Sequence, residues 1–274
     1  MQEPEWHMLN SLLSIDRNKK KYGWFGDYRS WEKVSAEAGG YDAKVILEKT
    51  TNALLKVKNG EAVYERDSVI FDKKELPYSL ISFFGLSASL KKGPLNVLDF
   101  GGSLGSTYYQ IKDFLTAENC TSWNVVEQEH YVTSGRANFQ DDTLKFYHSI
   151  EECLADKKID LILLSSSVQY LSEPHAFLKK LASYDFDFIL FDRTAFNNAT
   201  NDRLTLQIVP PEIYEASYPA WFFHQEFFLS HFAGRYRVVA EFPSYVEGES
   251  PMRIDGKVHG TSKGFYLINS SKYA

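Results

Sequence analysis

Leu95-Asn96-Val97-Leu98-Asp99-Phe100-Gly101-Gly102-Ser103-Leu104-Gly105 is an apolar run that ends in an acid and opens into small residues. Leu104, Tyr108, Ile111 and Leu115 follow at helical spacing, so the stretch predicts a strand, a tight turn and a helix. Such a turn needs small residues because its backbone passes close to a ligand, and glycine alone takes positive φ without a Cβ clash. The helix behind it would turn unpaired N–H groups and the positive end of its dipole toward that ligand. The stretch reads as a nucleotide-binding turn. It is not the dinucleotide fingerprint G-x-G-x-x-G, because the chain has Ser103 and Ser106 where that pattern needs its last two glycines.

Outward from this turn, apolar strands alternate with helical stretches, the pattern of a parallel sheet covered on both faces. The strands read as Leu95–Phe100, 123–127, Leu144–Tyr147, 160–165 and 186–191, with a helix over Pro174–Ser183. After an irregular stretch, 220–232 reads as a helix, and 235–242 and 264–269 as the last two strands. The first 93 residues lack this alternation and read as a mainly helical cap. One helix is expected from Asp42 as N-cap to Asn59-Gly60 as stop, and another from Pro77 to Gly93-Pro94, with 62–68 as an extended connector. The aromatic segment Tyr22-Gly23-Trp24-Phe25-Gly26-Asp27-Tyr28-Arg29-Ser30-Trp31 is either an anchor on the core or a lid over a ligand.

Thirty Lys and Arg against 36 Asp and Glu give a net charge of -6, which leaves no electrostatic footprint for nucleic acid. Lys19-Lys20-Lys21 is a short basic run that reads as a solvated face. Cys120 and Cys153 form no metal-ligand spacing and read as reduced, buried thiols; no metal is expected. No apolar run approaches the ~20 residues of a membrane span, and the acidic N-terminus lacks a signal-peptide core. The expectation is a cytoplasmic protein without membrane insertion.

Asp99-x-Gly101-x-Ser103-x-Gly105 resembles motif I of class I S-adenosyl-L-methionine (SAM) methyltransferases, with Ser103 where that family usually has glycine. Phe25-Gly26-Asp27-Tyr28-Arg29-Ser30-Trp31, Gly40-Tyr41-Asp42, Gln207-Ile208-Val209-Pro210-Pro211 and Ser217-Tyr218-Pro219 extend the likeness over nearly the whole chain. Together they resemble a bacterial methyltransferase family whose genes commonly lie in clusters for O-antigen and other surface polysaccharides. The resemblance implies an α/β fold: a doubly wound, Rossmann-like, mostly parallel seven-stranded sheet whose last strand enters antiparallel beside the fifth. It also implies a cap over 1–93, a SAM-binding domain over 94–274, and a small-molecule acceptor of carbohydrate type, a sugar or sugar-nucleotide hydroxyl. It leaves room for a homo-oligomer.

Candidate site residues follow from the assumed strand ends. Glu127, closing the second strand, can accept both ribose hydroxyls, since a carboxylate accepts bidentately. Asp99 organises the turn or reaches the methionine end of the cofactor. Gly101, Gly102, Ser103 and Gly105 form the turn, and Ser166 belongs to a serine cluster that either lines the cofactor or caps the next helix. Gln169, Arg193 and Tyr218 fall on the acceptor side. Arg193 can clamp an anionic acceptor or pair with a nearby acid. His224 is the candidate base, with a core histidine as the alternative. Two other readings stand beside methyl transfer: a non-catalytic scaffold of the same fold, and an NAD-dependent nucleotide-sugar oxidoreductase.

Overall fold

The computed structural model describes residues 22–41 and 43–273. The Lys19-Lys20-Lys21 run and Asp42, the expected N-cap, lie outside these residues. The described residues open with β1 (Gly23–Tyr28), α1 (Trp31–Glu37), β2 (Gly40–Tyr41) and α2 (Ala43–Lys58), then β3 (Tyr64–Arg66), β4 (Val69–Phe71) and α3 (Tyr78–Lys91). Strand and helix then alternate through β5 (Leu95–Phe100), α4 (Ser106–Ile111), β6 (Cys120–Val126), α5 (Glu129–Asn138), β7 (Leu144–Tyr147), α6 (Ile150–Asp156), β8 (Leu161–Ser165), α7 (Pro174–Ser183) and β9 (Phe188–Asn197). The remainder is β10 (Arg203–Ile208), β11 (Ala216–Phe222), α8 (Gln225–Ser230), β12 (Tyr236–Pro243), β13 (Met252–Ile254) and β14 (Lys257–Asn269).

β7, β6, β5, β8 and β9 lie side by side in that order, all parallel. β14 runs antiparallel to β9, and β12 antiparallel to β14. The apolar runs are continuous because both faces are covered. On β5, Leu95 and Val97 join a cluster with Leu80 and Phe84 of α3 and Val132 of α5, whereas Leu98 joins Leu178 and Leu181 of α7 on the other face. Each such fully buried side chain stabilises the fold by about 1.5–3 kcal/mol relative to exposure.

β9 and β14 outrun the parallel core. Lys263 pairs with Thr194 but Phe265 pairs with Phe191, so Gly264 alone faces Asp192 and Arg193. This bulge lets the two strands continue and carry a second, mostly antiparallel flank. There β14 pairs with β13, β13 with β1, β1 with β10, β10 with β11 and β11 with β2, completing a sheet of 12 strands among the described residues. Asp255-Gly256, both at positive φ, close the tight β13–β14 hairpin.

Three expectations change. Residues 203–219, read as irregular, form most of the β10–β11 hairpin, which runs on to Phe222. The helix over 220–232 is strand to Phe222 and helix only over Gln225–Ser230. The first third, read as mainly helical, also supplies β1 and β2 to the large sheet, and its 62–68 connector is part of the separate β3–β4 hairpin. No helix among the described residues is long and apolar enough to cross a membrane.

A Cβ on Gly264 would lie 2.4 Å from the Phe191 carbonyl oxygen and 2.3 Å from the Phe242 ring. Gly264→Ala should therefore destabilise the protein by about 1–3 kcal/mol, the usual cost of overpacking. Urea unfolding checks this; a midpoint equal to wild type would show that the bulge absorbs a methyl group.

Candidate functional site

The carboxyl ends of β5, β6, β8 and β9 open into one cavity of about 750 Å³, walled on its other sides by β1, α2, the β3–β4 hairpin, the β10–β11 hairpin and the 245–249 loop. Its floor is the turn after β5. Gly101 turns at φ 73° and donates its N–H to the Val126 carbonyl at 2.9 Å. Gly102 lies on the carboxyl group of Asp99, which a Cβ would approach to 2.5 Å. Asp99 is 1% exposed and accepts the Trp123 indole N–H at 3.0 Å; burial pushes it up to about 7, and Glu127 adds to the rise.

Glu127 follows β6 and accepts the N–H groups of Ser103 at 3.3 Å and Gln128 at 2.8 Å. Burial raises it despite these bonds. A carboxylate has four acceptor positions, so this one can still accept from ligand hydroxyls. Asp99, Gly101, Gly102, Ser103, Glu127 and Ser166 all line the cavity. Gly105 does not: it caps the start of α4 at φ 93°, and a Cβ there would press on Leu144 at 3.1 Å, so its role is packing.

Gln169 and Tyr218 also line the cavity. The Gln169 amide donates to Ser166 Oγ at 3.2 Å and to the Arg193 carbonyl at 3.1 Å, leaving its Oε1 without a partner. The Tyr218 hydroxyl meets that of Tyr214 at 3.3 Å, and its ring packs edge-on against Tyr170. Pro210, Ile213 and Pro219 stand beside it, so the Pro-Pro segment contributes to the wall. Trp24 and Trp31 line the cavity too, while Trp24 also packs on Phe222, so the aromatic N-terminal segment is anchor and wall at once.

Arg193 reaches the cavity from the bulge at φ 47°. Its Nε and Nη2 donate to Glu249 Oε1 at 3.0 and 2.5 Å, and Nη2 also meets Asp67 at 3.3 Å. Burial opposes its charge, but these two carboxylates outweigh burial and hold its pKa well above the ordinary value. Burial likewise acts to raise Glu249, and the Arg193 charge and hydrogen bonds more than offset it. Arg193 is thus an internal strut between β9, the 245–249 loop and the β3–β4 hairpin. Of the two readings of Arg193, the geometry has it paired with acids, and these are Glu249 and Asp67, distant in sequence.

His224 is not in the cavity wall. It is the N-cap residue of α8, and its backbone N–H donates to Asp202 at 2.7 Å. Because β11 runs to Phe222, His224 follows a strand end instead of sitting within a 220–232 helix.

The sequence reading missed the β3–β4 hairpin and the 245–249 loop. Glu65, 2% exposed, accepts from Ser106 Oγ at 2.7 Å and from the Ser68 N–H at 2.8 Å, and burial pushes it up to about 7. Tyr245 exchanges hydrogen bonds with the Gln110 amide at 3.2 and 3.3 Å. Asp67-Ser68 between Tyr64-Glu65-Arg66 and the apolar run Val69-Ile70-Phe71 was the available hairpin signal. Among the described residues, eight other than glycine have positive φ, and Asp67, Ser68, Ser103, Ser166 and Arg193 of these line the cavity. Such strain persists where the surroundings over-determine it, as at ligand sites.

The order β7-β6-β5-β8-β9-β14-β12, with β14 antiparallel, makes this a Rossmann-like class I methyltransferase fold. No family model and no curated protein matches the chain in sequence. Similar solved structures include a SAM-dependent methyltransferase from Clostridium acetobutylicum ATCC 824, at 11% identity over 71% of this chain and 93% of that one, TM-score 0.43. Another is the N-terminal domain of EvdMO1 in the presence of SAH and D-fucose, at 12% identity over 84% and 97%, TM-score 0.43. The glycopeptide N-methyltransferase MtfA complexed with SAM aligns at 10% identity over 69% and 93%, TM-score 0.44.

The buried acid under the turn sets a pH dependence. Unfolded, Asp99 titrates near 3.9; folded, it titrates at about 7. Its contribution to stability is complete below about pH 4 and is lost as pH rises toward 7, by up to about 4 kcal/mol for three pKa units. Glu65 acts with the same sign. Asp99→Asn should flatten, without abolishing, the fall in unfolding free energy between pH 4 and 8. An unchanged slope would show that Asp99 is ionised in the folded protein.

Proposed function

We propose that this chain is a SAM-dependent methyltransferase acting on a small polar acceptor of carbohydrate type, with a sugar hydroxyl as the methylated group. The observation that carries this reading is Glu127 held by the Ser103 N–H across the mouth of a glycine turn, inside a cavity at the carboxyl ends of a class I sheet. Ligands bind at such strand ends in open α/β folds, and the cavity lies within the ~300–1,000 Å³ typical of small-molecule sites. When bound, SAM supplies an electrophilic methyl group on a sulfonium.

The chain's residues do the rest. Glu127 accepts the ribose hydroxyls, and the Gly101–Ser103 turn gives the backbone close approach. Tyr170, Tyr214 and Tyr218 offer flat apolar faces and neutral hydroxyls suited to a sugar ring. These walls would hold the acceptor hydroxyl against the methyl group that SAM supplies, so proximity and orientation would supply most of the rate. Its proton needs an acceptor, and no histidine, lysine or cysteine lines the cavity among the described residues. Glu65 is our candidate, because a base that titrates near neutrality both stays ionised and holds the proton. A role in surface-polysaccharide biosynthesis is part of this proposal and rests on the sequence resemblance.

Two experiments test it. Glu127→Ala should weaken SAM binding by calorimetry roughly ten- to hundredfold, the loss of a charged hydrogen-bond partner; an unchanged dissociation constant removes the ribose role. Glu65→Gln should lower kcat about 10²-fold or more and abolish an activity rise through pH 7, with SAM affinity retained. His224→Ala should stay within about twofold of wild type. A tenfold loss on His224→Ala with Glu65→Gln active would reverse the assignment.

A further inference from the structure

Gln169 is 4% exposed and lines the cavity. Its amide orientation is fixed: Nε2 donates to Ser166 Oγ at 3.2 Å and to the Arg193 carbonyl at 3.1 Å, and a carbonyl can only accept. Oε1 is therefore an acceptor, and it has no donor. Five buried side-chain atoms lack a partner among the described residues, one each on Asn124, His130, Ser167, Gln169 and Asp192. Of these residues Gln169 alone lines the cavity, so its Oε1 is the one that stands beside a bound ligand. Gln207, also on the wall, shows the contrast, because its Oε1 is taken by the Tyr170 hydroxyl at 3.1 Å. A buried acceptor left unmade is costly, so what this part of the wall lacks is a hydrogen-bond donor.

The position of Gln169 says which ligand supplies it. Its amide is held at the end of β9, whereas Glu127 follows β6, three strands away in the order β9-β8-β5-β6. At ~4.8 Å per strand that is about 14 Å. A ribose on Glu127 and a donor on Gln169 therefore occupy opposite ends of the cavity, and the end at Gln169 belongs to the acceptor. The chemistry says which group of the acceptor it is. A neutral amide oxygen accepts hydrogen bonds but takes no proton at neutral pH, so Gln169 is not the base. The reacting hydroxyl has one proton and must surrender it, in the proposed reaction to Glu65. The donor that meets Oε1 is then a different group, one that keeps its proton throughout.

We infer that Gln169 determines specificity for the acceptor: its Oε1 accepts a hydrogen bond from a second, unreacting donor group of that molecule, so one group is methylated while another is read. This rests on the methyltransferase reading, and the test separates the two. SAM binding is first measured by calorimetry on the full chain. The chain and SAM are then incubated with a small-molecule extract of the source cell. Demethylated cofactor formed beyond enzyme-free and extract-free blanks is measured, and the methylated product is identified by mass spectrometry. The acceptor so found is compared with analogues that lack each unreacting hydroxyl or amino group in turn, on wild type and on Gln169→Met, a substitution of similar shape that removes Oε1. Gln169→Met should keep SAM affinity within about twofold and lower kcat/KM for the acceptor roughly ten- to hundredfold, mainly through KM. One analogue should lose a similar factor on wild type and nothing further on the variant, because the two changes remove the same bond. Losses that simply add, an unchanged KM, or a loss of SAM affinity in place of acceptor affinity would each overturn the inference while leaving the methyltransferase reading in place. If Gln169→Met does not fold, the wild-type series decides: a loss with one analogue supports the inference, and equal kcat/KM for all of them overturns it. Bound SAM with no demethylated cofactor formed would remove the methyltransferase reading and the inference with it.

Discussion

Asp99 can lie under the turn only because Gly102 has no side chain; a Cβ there would sit 2.5 Å from the carboxyl group. That contact, with the Trp123 indole N–H on the same carboxyl group at 3.0 Å, ties the end of β5 to the middle of β6. The parallel pairing of Phe100 with Val126 then fixes where β6 ends. Glu127 is the next residue, and it meets the Ser103 N–H because the turn has been folded back over Asp99. One buried acid thus sets both halves of the proposed cofactor cradle. Its cost is desolvation, visible as a carboxyl pushed up to about 7.

The acceptor side depends on a different device. The bulge opposite Gly264 turns Arg193 into the cavity while β9 and β14 continue past it. Bulges re-aim side chains in this way, and they cluster near functional sites. Continuation of the two strands creates the flank on which β13, β1, β10 and β11 assemble, so Trp24, Gln207 and Tyr218 reach one wall from distant parts of the sequence. The wall is complete only when both the first and the last parts of the chain have joined the sheet.

The parts of this fold that were legible in the sequence are local. Leu95–Phe100, Leu144–Tyr147 and Pro174–Ser183 occur as their apolar patterns indicate, because each pattern reports burial of one segment against the sheet. β11 was hidden by Pro219, which is rare inside a sheet. It is tolerated because β2 pairs only with Ala216 and Ser217, leaving one edge of β11 open beside Pro219. The aromatic run 220–232 fits a buried strand and a helix equally well by composition, and the wrong choice is what put His224 on a catalytic helix. Motif I and Glu127 were legible because a strand end and its turn adjoin in sequence. Arg193 was recognisable as a site residue, but its partners lie 56 and 126 residues away, so nothing local could say that its charge is already taken.

That committed charge changes what Arg193 means for function. A guanidinium at the end of the fifth strand suggests an anion clamp when its neighbours are unknown, because its planar fork matches carboxylate and phosphate. Here the fork is filled by Glu249, whose other oxygen is held by Ser244 at 2.7 Å and Ser262 at 3.3 Å. Breaking such a buried pair would leave an uncompensated charge on each side, at a cost of several kcal/mol. Arg193 therefore spends its charge on joining β9 to the 245–249 loop and to Asp67 of the hairpin, and its fork is not offered to a ligand. The role of this arginine is thus set by the residues that neutralise it and not by its place on the cavity wall.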